Sequence, residues 1–406
     1  MNKKTILILG GGVGGIVTAN ALHRHLASKH RIVVIDKQAE YVFTPSLLWV
    51  MVGWRQPKQI TKALQRLLTP GIEVVQAEIQ TIDPDRNLVY TSEETLAYDY
   101  LVLALGADLA PGSMPGFSES AYTPFDLEGA TKLWAALQGF QRGRVAVLVS
   151  AVPYKCPAAP YETALLLDDH FRRHRSRDQI ELVVYTPESA PMGVAGPAMG
   201  QAVVEMLETK GIIFNPELNL THIDPEAKEL VFKEGRHESF DFLAGVPPHR
   251  PPRAVKESPL ANENGWISVD KNTLSTRFEN VYAIGDVTAV TLANGKPLPK
   301  AGVFAHGEGE TVAARIIADI RGEAAQAQFD GVGYCWLETG SGSAAFASGH
   351  FYAEPDPLVP LPRSGKLWHW GKVAFEQYWL NEGLRRHSAR LGMNLGAKLF
   401  GIPASL

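Results

Sequence analysis

Two cysteines are all that 406 residues contain, Cys156 and Cys335, separated by 179 positions. That is too few for a disulfide scaffold or a cysteine-rich metal site, so no metal centre is expected. They are either unrelated buried thiols or a pair that folding brings together. No run approaches the ~18 consecutive apolar residues of a membrane-spanning helix. The amino terminus carries the charge of an export signal but not its apolar length, because Thr5 to Leu9 runs straight into a glycine cluster and reads as a strand. An excess of one charge sign is missing too. With 39 basic against 43 acidic residues, a net charge of -4 and no basic stripe in the body of the chain, a nucleic-acid partner is excluded. Glycine is absent between Gly143 and Gly193 although the chain holds 37, and that local gap turns out to be informative. The remaining composition, 45% hydrophobic and 20% charged, is that of a soluble α/β chain long enough for two or three domains.

What is present begins with a nucleotide-binding pattern. Thr5 to Leu9 predicts a strand, Gly10, Gly12 and Gly15 set a Gly-x-Gly-x-x-Gly turn, a helix follows to about Ser28, and the strand Arg31 to Ile35 ends in Asp36. Glycines let the backbone approach a pyrophosphate at a helix N-terminus, where unpaired N–H groups favour anions, and an acid at this distance accepts from ribose hydroxyls. A second α/β unit should open near Arg144, with strands near 145–149, 181–185 and 212–214. At its first turn, where a second nucleotide site would need glycines, the sequence reads Val149-Ser-Ala-Val-Pro-Tyr-Lys-Cys156-Pro-Ala-Ala-Pro-Tyr-Glu162. Prolines 153, 157 and 160 stiffen that turn and hold Cys156 at the sheet edge, before a helix from about Tyr161. Side chains there would obstruct a pyrophosphate, so a nicotinamide nucleotide is not expected to bind this unit in the usual way.

Two further strand ends carry motif resemblance. Tyr98 to Ala107 closes on a small-residue turn containing Gly106, and Phe278 to Asp286 closes on Gly285-Asp286. Both resemble the paired signatures of flavoproteins with two dinucleotide-binding domains, which implies FAD with Asp286 on its ribityl chain. Lys155-Cys156-Pro157 through Glu162, Val246 to Pro252, Pro299 to Ala305, Tyr334-Cys335 and Trp370 to Tyr378 resemble sulfide:quinone oxidoreductases and the flavoprotein subunit of flavocytochrome c sulfide dehydrogenase. The resemblance covers essentially the whole chain. It implies an α/β fold with two Rossmann-like domains: 1–112 with 258–330 for FAD, and 113–257 without the nicotinamide loop. A C-terminal region, 331–406, follows for quinone and membrane contact.

The same resemblance implies a redox pair of Cys156 and Cys335 facing the flavin. Sulfide opens their bridge by exchange, leaving a persulfide and a thiolate, and the thiolate, assigned to Cys335, passes two electrons to FAD. Lys155 either favours the thiolate and draws in HS⁻ or is simply solvated. Glu162 is a proton-transfer group or an ordinary first-turn acid. Lys300, at the head of a helix predicted over 301–317, faces the flavin or the solvent, while His306, Glu308 and Glu310 are expected on that helix's surface. Family members often carry a third cysteine, absent here from 122–134, and the flavocytochrome attaches its flavin near the segment 41–45, where this chain also has none. FAD is therefore expected to be non-covalent, with the sulfur leaving as sulfane sulfur or polysulfide.

The last forty residues are aromatic and then basic. Residues 365–380 hold three tryptophans, a phenylalanine and a tyrosine; Leu384, Leu391, Leu395 and Leu399 follow on one helical stripe, with Arg385, Arg386, Arg390 and Lys398 off it. Such a helix suits an interfacial, monotopic anchor on the cytoplasmic face, or a surface docked on the body or on a second subunit of a homo-oligomer. Trp336, Phe346, Phe375 and Tyr378 line a quinone channel or belong to the core. The expected acceptor is quinone, with cytochrome c as the alternative; a flavin-bearing sulfur sensor is the rival from another class.

Overall fold

The computed structural model describes residues 3–26, 29–360 and 363–400. Strand β1 (Thr5–Leu9), helix α1 (Val13–Leu26), β2 (Arg31–Asp36), β3 (Glu73–Gln76) and β4 (Tyr100–Leu103) open the chain; β5 (Gly143–Val149), α2 (Ala159–Arg173), β6 (Ile180–Tyr185), β7 (Ile213–Asn215) and β8 (Phe242–Val246) repeat the plan. After β9 (Val281–Ala283) come α3 (Gly302–Arg321), the strands β10 (Val332–Gly340), β11 (Ser343–His350) and β12 (Arg363–Gly365), and two closing helices, α4 (Lys366–Leu380) and α5 (Gly383–Phe400).

The apolar runs of β1 and β5 are buried on both faces, as strands flanked by helices must be. They sit centrally in two parallel sheets, ordered β9-β4-β1-β2-β3 and β7-β6-β5-β8. In each half a three-stranded antiparallel meander (79–97 and 220–239) bridges the third and fourth parallel strands. This is the predicted α/β fold with two Rossmann-like units. The third layer, an antiparallel sheet β10-β11-β12 with α4 packed on it, closes over the junction of the two halves.

Two glycines fix the first turn. Gly10 has φ +107°, and a Cβ there would lie 2.4 Å from the carbonyl oxygen of Ala104; one on Gly15 would lie 1.9 Å from that of Gly10. Any larger residue at 15 would push α1 away from β1. Boundaries differ from expectation where caps were overlooked. Helix α2 starts at Ala159, with Pro160 in its first turn where a missing N–H costs nothing. Helix α3 runs past 317 to Arg321 and stops at Gly322, whose φ of +72° allows its N–H to bond back to Ala318 and Asp319. Helix α1 is described to Leu26; Ser28 lies outside the described residues.

Candidate active site

Cys156 lies in the turn between β5 and α2 with φ +57°, a left-handed conformation unusual for a side chain. Hydrogen bonds hold it there: its N–H donates to the carbonyl of Lys300 (2.7 Å), and its own carbonyl accepts from Ala159 N–H (2.9 Å). Cys335 is on β10, paired with Ala347 of β11. Two carboxylates on one face of α2, a helical i,i+7 pair, tie that strand to the Cys156 turn. Glu162 accepts from Glu338 N–H (2.9 Å) and Asp169 from Ser341 N–H (2.8 Å). The two free thiols therefore share one region: both line each of two cavities, and Cys156 acts on Cys335 electrostatically.

One cavity, of about 410 Å³, runs from Gly11, Gly12, Asp36 and Gln38 past Gly106, Lys155 and Gly285-Asp286 to the thiols. Of the predicted glycines, Gly12, Gly106 and Gly285 line it, while Gly10 and Gly15 act through the turn beneath. Asp36 accepts from Gly11 N–H (2.6 Å) and Gln38 N–H (2.8 Å), so the acid and the loop that a dinucleotide would bridge are already juxtaposed. A long cleft with a helix N-terminus at one end and Asp286 at the other fits FAD. The second cavity, about 510 Å³, lies across the thiols and is mostly apolar, with Val152, Pro157, Val194, Leu298, Phe304 and Phe351 among its walls.

The electrostatics correct one expectation. Burial pushes the Cys156 thiol up to about 12, and the charge of Glu162 adds to the rise. Cys335 is raised by burial, then by Cys156 and Glu162. Lys155 does not favour a thiolate here; its charge acts on Asp286, which burial holds above the carboxylate range while Lys155 and Lys300 oppose that. The cation that acts on both sulfurs is Lys372.

Lys300 lines both cavities, but its ammonium donates to the carbonyls of Asp286 (2.5 Å) and Thr288 (3.1 Å) and rests 3.6 Å from the centre of the Trp266 ring. Burial lowers it to about 8, opposed by Asp286 and Glu308. Neither Glu308 nor His306 is a surface group as expected. Glu308 is fully buried under the Gly285-Asp286 turn and accepts from Gly285 N–H (2.5 Å), and His306 borders the flavin-sized cavity. Only Glu310 is half-exposed. The periodicity of α3 misled because its buried stripe continues through Glu308 between Phe304 and Thr311.

Burial raises Glu308 to about 7. A carboxyl whose folded value exceeds its unfolded one stabilises most below the unfolded value, and that contribution is lost as pH rises from about 4.5 through about 7. Glu308→Gln keeps an acceptor for Gly285 and removes the titration. Its melting temperature should therefore fall less than that of the wild type between pH 5 and pH 8, as followed by tryptophan fluorescence; parallel curves would contradict the assignment.

Glu188 lies three residues beyond the end of β6. One of its oxygens accepts from the hydroxyls of Tyr154 (2.7 Å), Tyr161 (2.9 Å) and Thr186 (3.2 Å). Tyr154 of the cysteine turn and Tyr161 of α2 thus share one oxygen of Glu188.

The whole arrangement matches one family model, pyridine nucleotide-disulphide oxidoreductase, over residues 4–309. The chain belongs to that family. Among pyridine nucleotide-disulphide oxidoreductases it is similar to the mitochondrial sulfide:quinone oxidoreductase of Mus musculus, 25% identical over 97% of this chain and 91% of the relative. It is 28% identical to the sulfide-quinone reductase of Aquifex aeolicus, over 93% and 90%. The crystal structure of the Aquifex aeolicus sulfide:quinone oxidoreductase superposes with a TM-score of 0.84 at 24% identity, covering 99% and 96% of the two chains.

Beyond the thiols, the cavity of this oxidoreductase ends in aromatic rings. Trp336 and Phe375 stand 5.2 Å apart on its wall, with Tyr41 stacked on Trp379 at 6.1 Å. Phe346 instead packs between Trp336 and Trp368, and Tyr378 lies under the Arg386 guanidinium; neither borders the cavity. Among the described residues, the Tyr41 hydroxyl, the Trp336 and Trp379 indole N–H groups and His306 Nδ1 are buried there without hydrogen-bond partners. Buried donors ordinarily find acceptors, so this end suits a ligand carrying oxygen atoms on a flat ring. Sequence reasoning passed over Lys372, Glu338 and His369. The available signal was a single lysine within the aromatic run 368–379.

Proposed function

We propose that the chain is a sulfide:quinone oxidoreductase that oxidises sulfide at Cys156 and Cys335 and delivers two electrons through non-covalent FAD to a membrane quinone. The observation that carries this is the position of the two thiols, in the partition between a flavin-sized cleft and an apolar chamber. Residues 1–112 with 258–330 form the FAD unit, 113–257 the unit that carries the cysteine turn, and 331–406 the quinone- and membrane-facing region.

The chemistry follows from sulfur exchange. HS⁻ entering the apolar chamber attacks the Cys156–Cys335 bridge; that S–S bond breaks, a new one forms to the incoming sulfur, and one cysteine is left as a persulfide and the other as a thiolate. Burial makes such a thiolate costly and therefore a willing electron donor. FAD, when bound, supplies the two-electron acceptor on the other side of the partition. Gly12, Gly106 and Asp36 would hold it, with Asp286 and Lys300 lining the same cleft, and Trp336, Phe375 and the unpartnered donors near Tyr41 would hold the quinone ring.

Anaerobic stopped-flow mixing tests the reading. Sulfide should bleach the flavin and decyl-ubiquinone should restore it; recovery with cytochrome c alone would assign the other acceptor, and no bleaching would leave only a sulfur-binding role.

A further inference from the structure

Three buried ionisable groups and one partly exposed histidine form a file leading away from the thiols. Glu162, on α2, touches the sulfurs electrostatically and accepts from Lys372 Nζ at 2.9 Å. That ammonium lies 3.9 Å from Glu338 Oε1 on β10, and both Glu338 oxygens lie 3.0 Å from His369 Nδ1. Glu162, Lys372 and Glu338 are buried, whereas the His369 side chain is 18% exposed. It stands among Trp49, Trp54 and the solvent-exposed Trp370.

A clamp alone does not explain this file. The backbone N–H groups of Glu338 and Ser341 already tie β10 to α2, and an apolar substitute for a buried ion pair is commonly as stable. Burial by itself would depress Lys372, but Glu162 and Glu338 more than offset it, so the side chain stays an ammonium between the two carboxylates. Charges nearby are committed elsewhere. Arg55, over Trp49, pairs with Glu376 (2.8 Å), and Arg173, over Trp54, pairs with Asp169 (2.6 Å). Those pairs flank His369 without intersecting the file.

We propose that His369, Glu338, Lys372 and Glu162 conduct protons between solvent and the thiol partition, with His369 as the solvent port. The inference rests on the functional reading above, whose balance takes up one proton from solvent per turnover. HS⁻, quinone and one proton give sulfane sulfur and quinol: sulfur loses two electrons, the quinone gains them, and HS⁻ supplies one of the two quinol protons. The other comes from solvent in every turnover, and Glu162 and Lys372 line the same cavity as Trp336 and Phe375, where the quinone takes it up.

The test uses full-length holoenzyme carrying His369→Gln, with Glu338→Gln as a second variant that keeps the backbone donor to Glu162. Proton uptake, read from a pH indicator in weakly buffered stopped-flow with sulfide and decyl-ubiquinone, should slow on the order of 10²-fold and recover on addition of imidazole. Separately, and without turnover, the infrared band of the buried carboxyl groups should exchange more slowly after transfer to D2O in either variant. Wild-type uptake rates in both variants, or slowed uptake that imidazole leaves unchanged, would overturn the relay. Failure of wild-type enzyme to bleach with sulfide would instead remove the functional reading, while the D2O exchange would still decide whether His369 is the port.

Discussion

Cys335→Ser is expected to bind FAD in normal yield and to lose flavin bleaching by sulfide by at least ~10³-fold, because a serine hydroxyl neither forms nor exchanges an S–S bond. Flavin content should hold, since the residues shaping the dinucleotide end of the cleft, Gly10 to Gly15 and Asp36, are remote from β10 in the fold. Stability should change by less than ~1 kcal/mol: Cys335 Sγ already points at the carbonyl of Trp336 (3.3 Å), and a hydroxyl donates to the same oxygen. Reduction by dithionite, which needs no thiol, is the control. Sulfide bleaching at the wild-type rate with normal dithionite reduction would show that electrons bypass the cysteine pair.

Truncation before Leu384 should release the protein from liposomes while leaving sulfide-driven bleaching intact. Among the described residues no helix is long and apolar enough to cross a membrane. Helix α5 nevertheless exposes Leu384 (88%), Leu391 (56%) and Leu395 (61%) at helical spacing; the side chain of Leu399 lies outside the described set. Burying three leucines in the interface contributes roughly 5 kcal/mol, on the order of 10³-fold in partitioning. Basic neighbours add to this on anionic lipid. Helix α4 should survive the cut, because Lys62 Nζ caps the carbonyl of Leu380 (2.6 Å) and Trp379 is buried against Tyr41. Of the three tryptophans expected at the membrane surface, only Trp370 is exposed; Trp368 stacks on Phe346. Truncated protein that still floats with liposomes would move the anchor elsewhere.

Local patterns carried the sequence a long way. The glycine turn with Asp36, the strands at 5–9, 31–36, 143–149 and 180–185, and the proline-bounded turn at Cys156 are each written in contiguous residues, since strand periodicity and turn chemistry are set within a few positions. The gap in glycine between 143 and 193 was equally legible, and in the fold Tyr154 and Tyr161 of that stretch donate to Glu188.

What the chain by itself determined is therefore its two nucleotide-binding-like halves and the special character of the Cys156 turn. Where Cys335 stands, that Glu308 is buried, that Lys372 and not Lys155 acts on the sulfurs, and that Glu338 and His369 join Glu162 were decided only in three dimensions. These are contacts between groups 23 to 216 positions apart in the chain. Burial and charge at such groups depend on which distant strand or helix closes over them, and no local period records that.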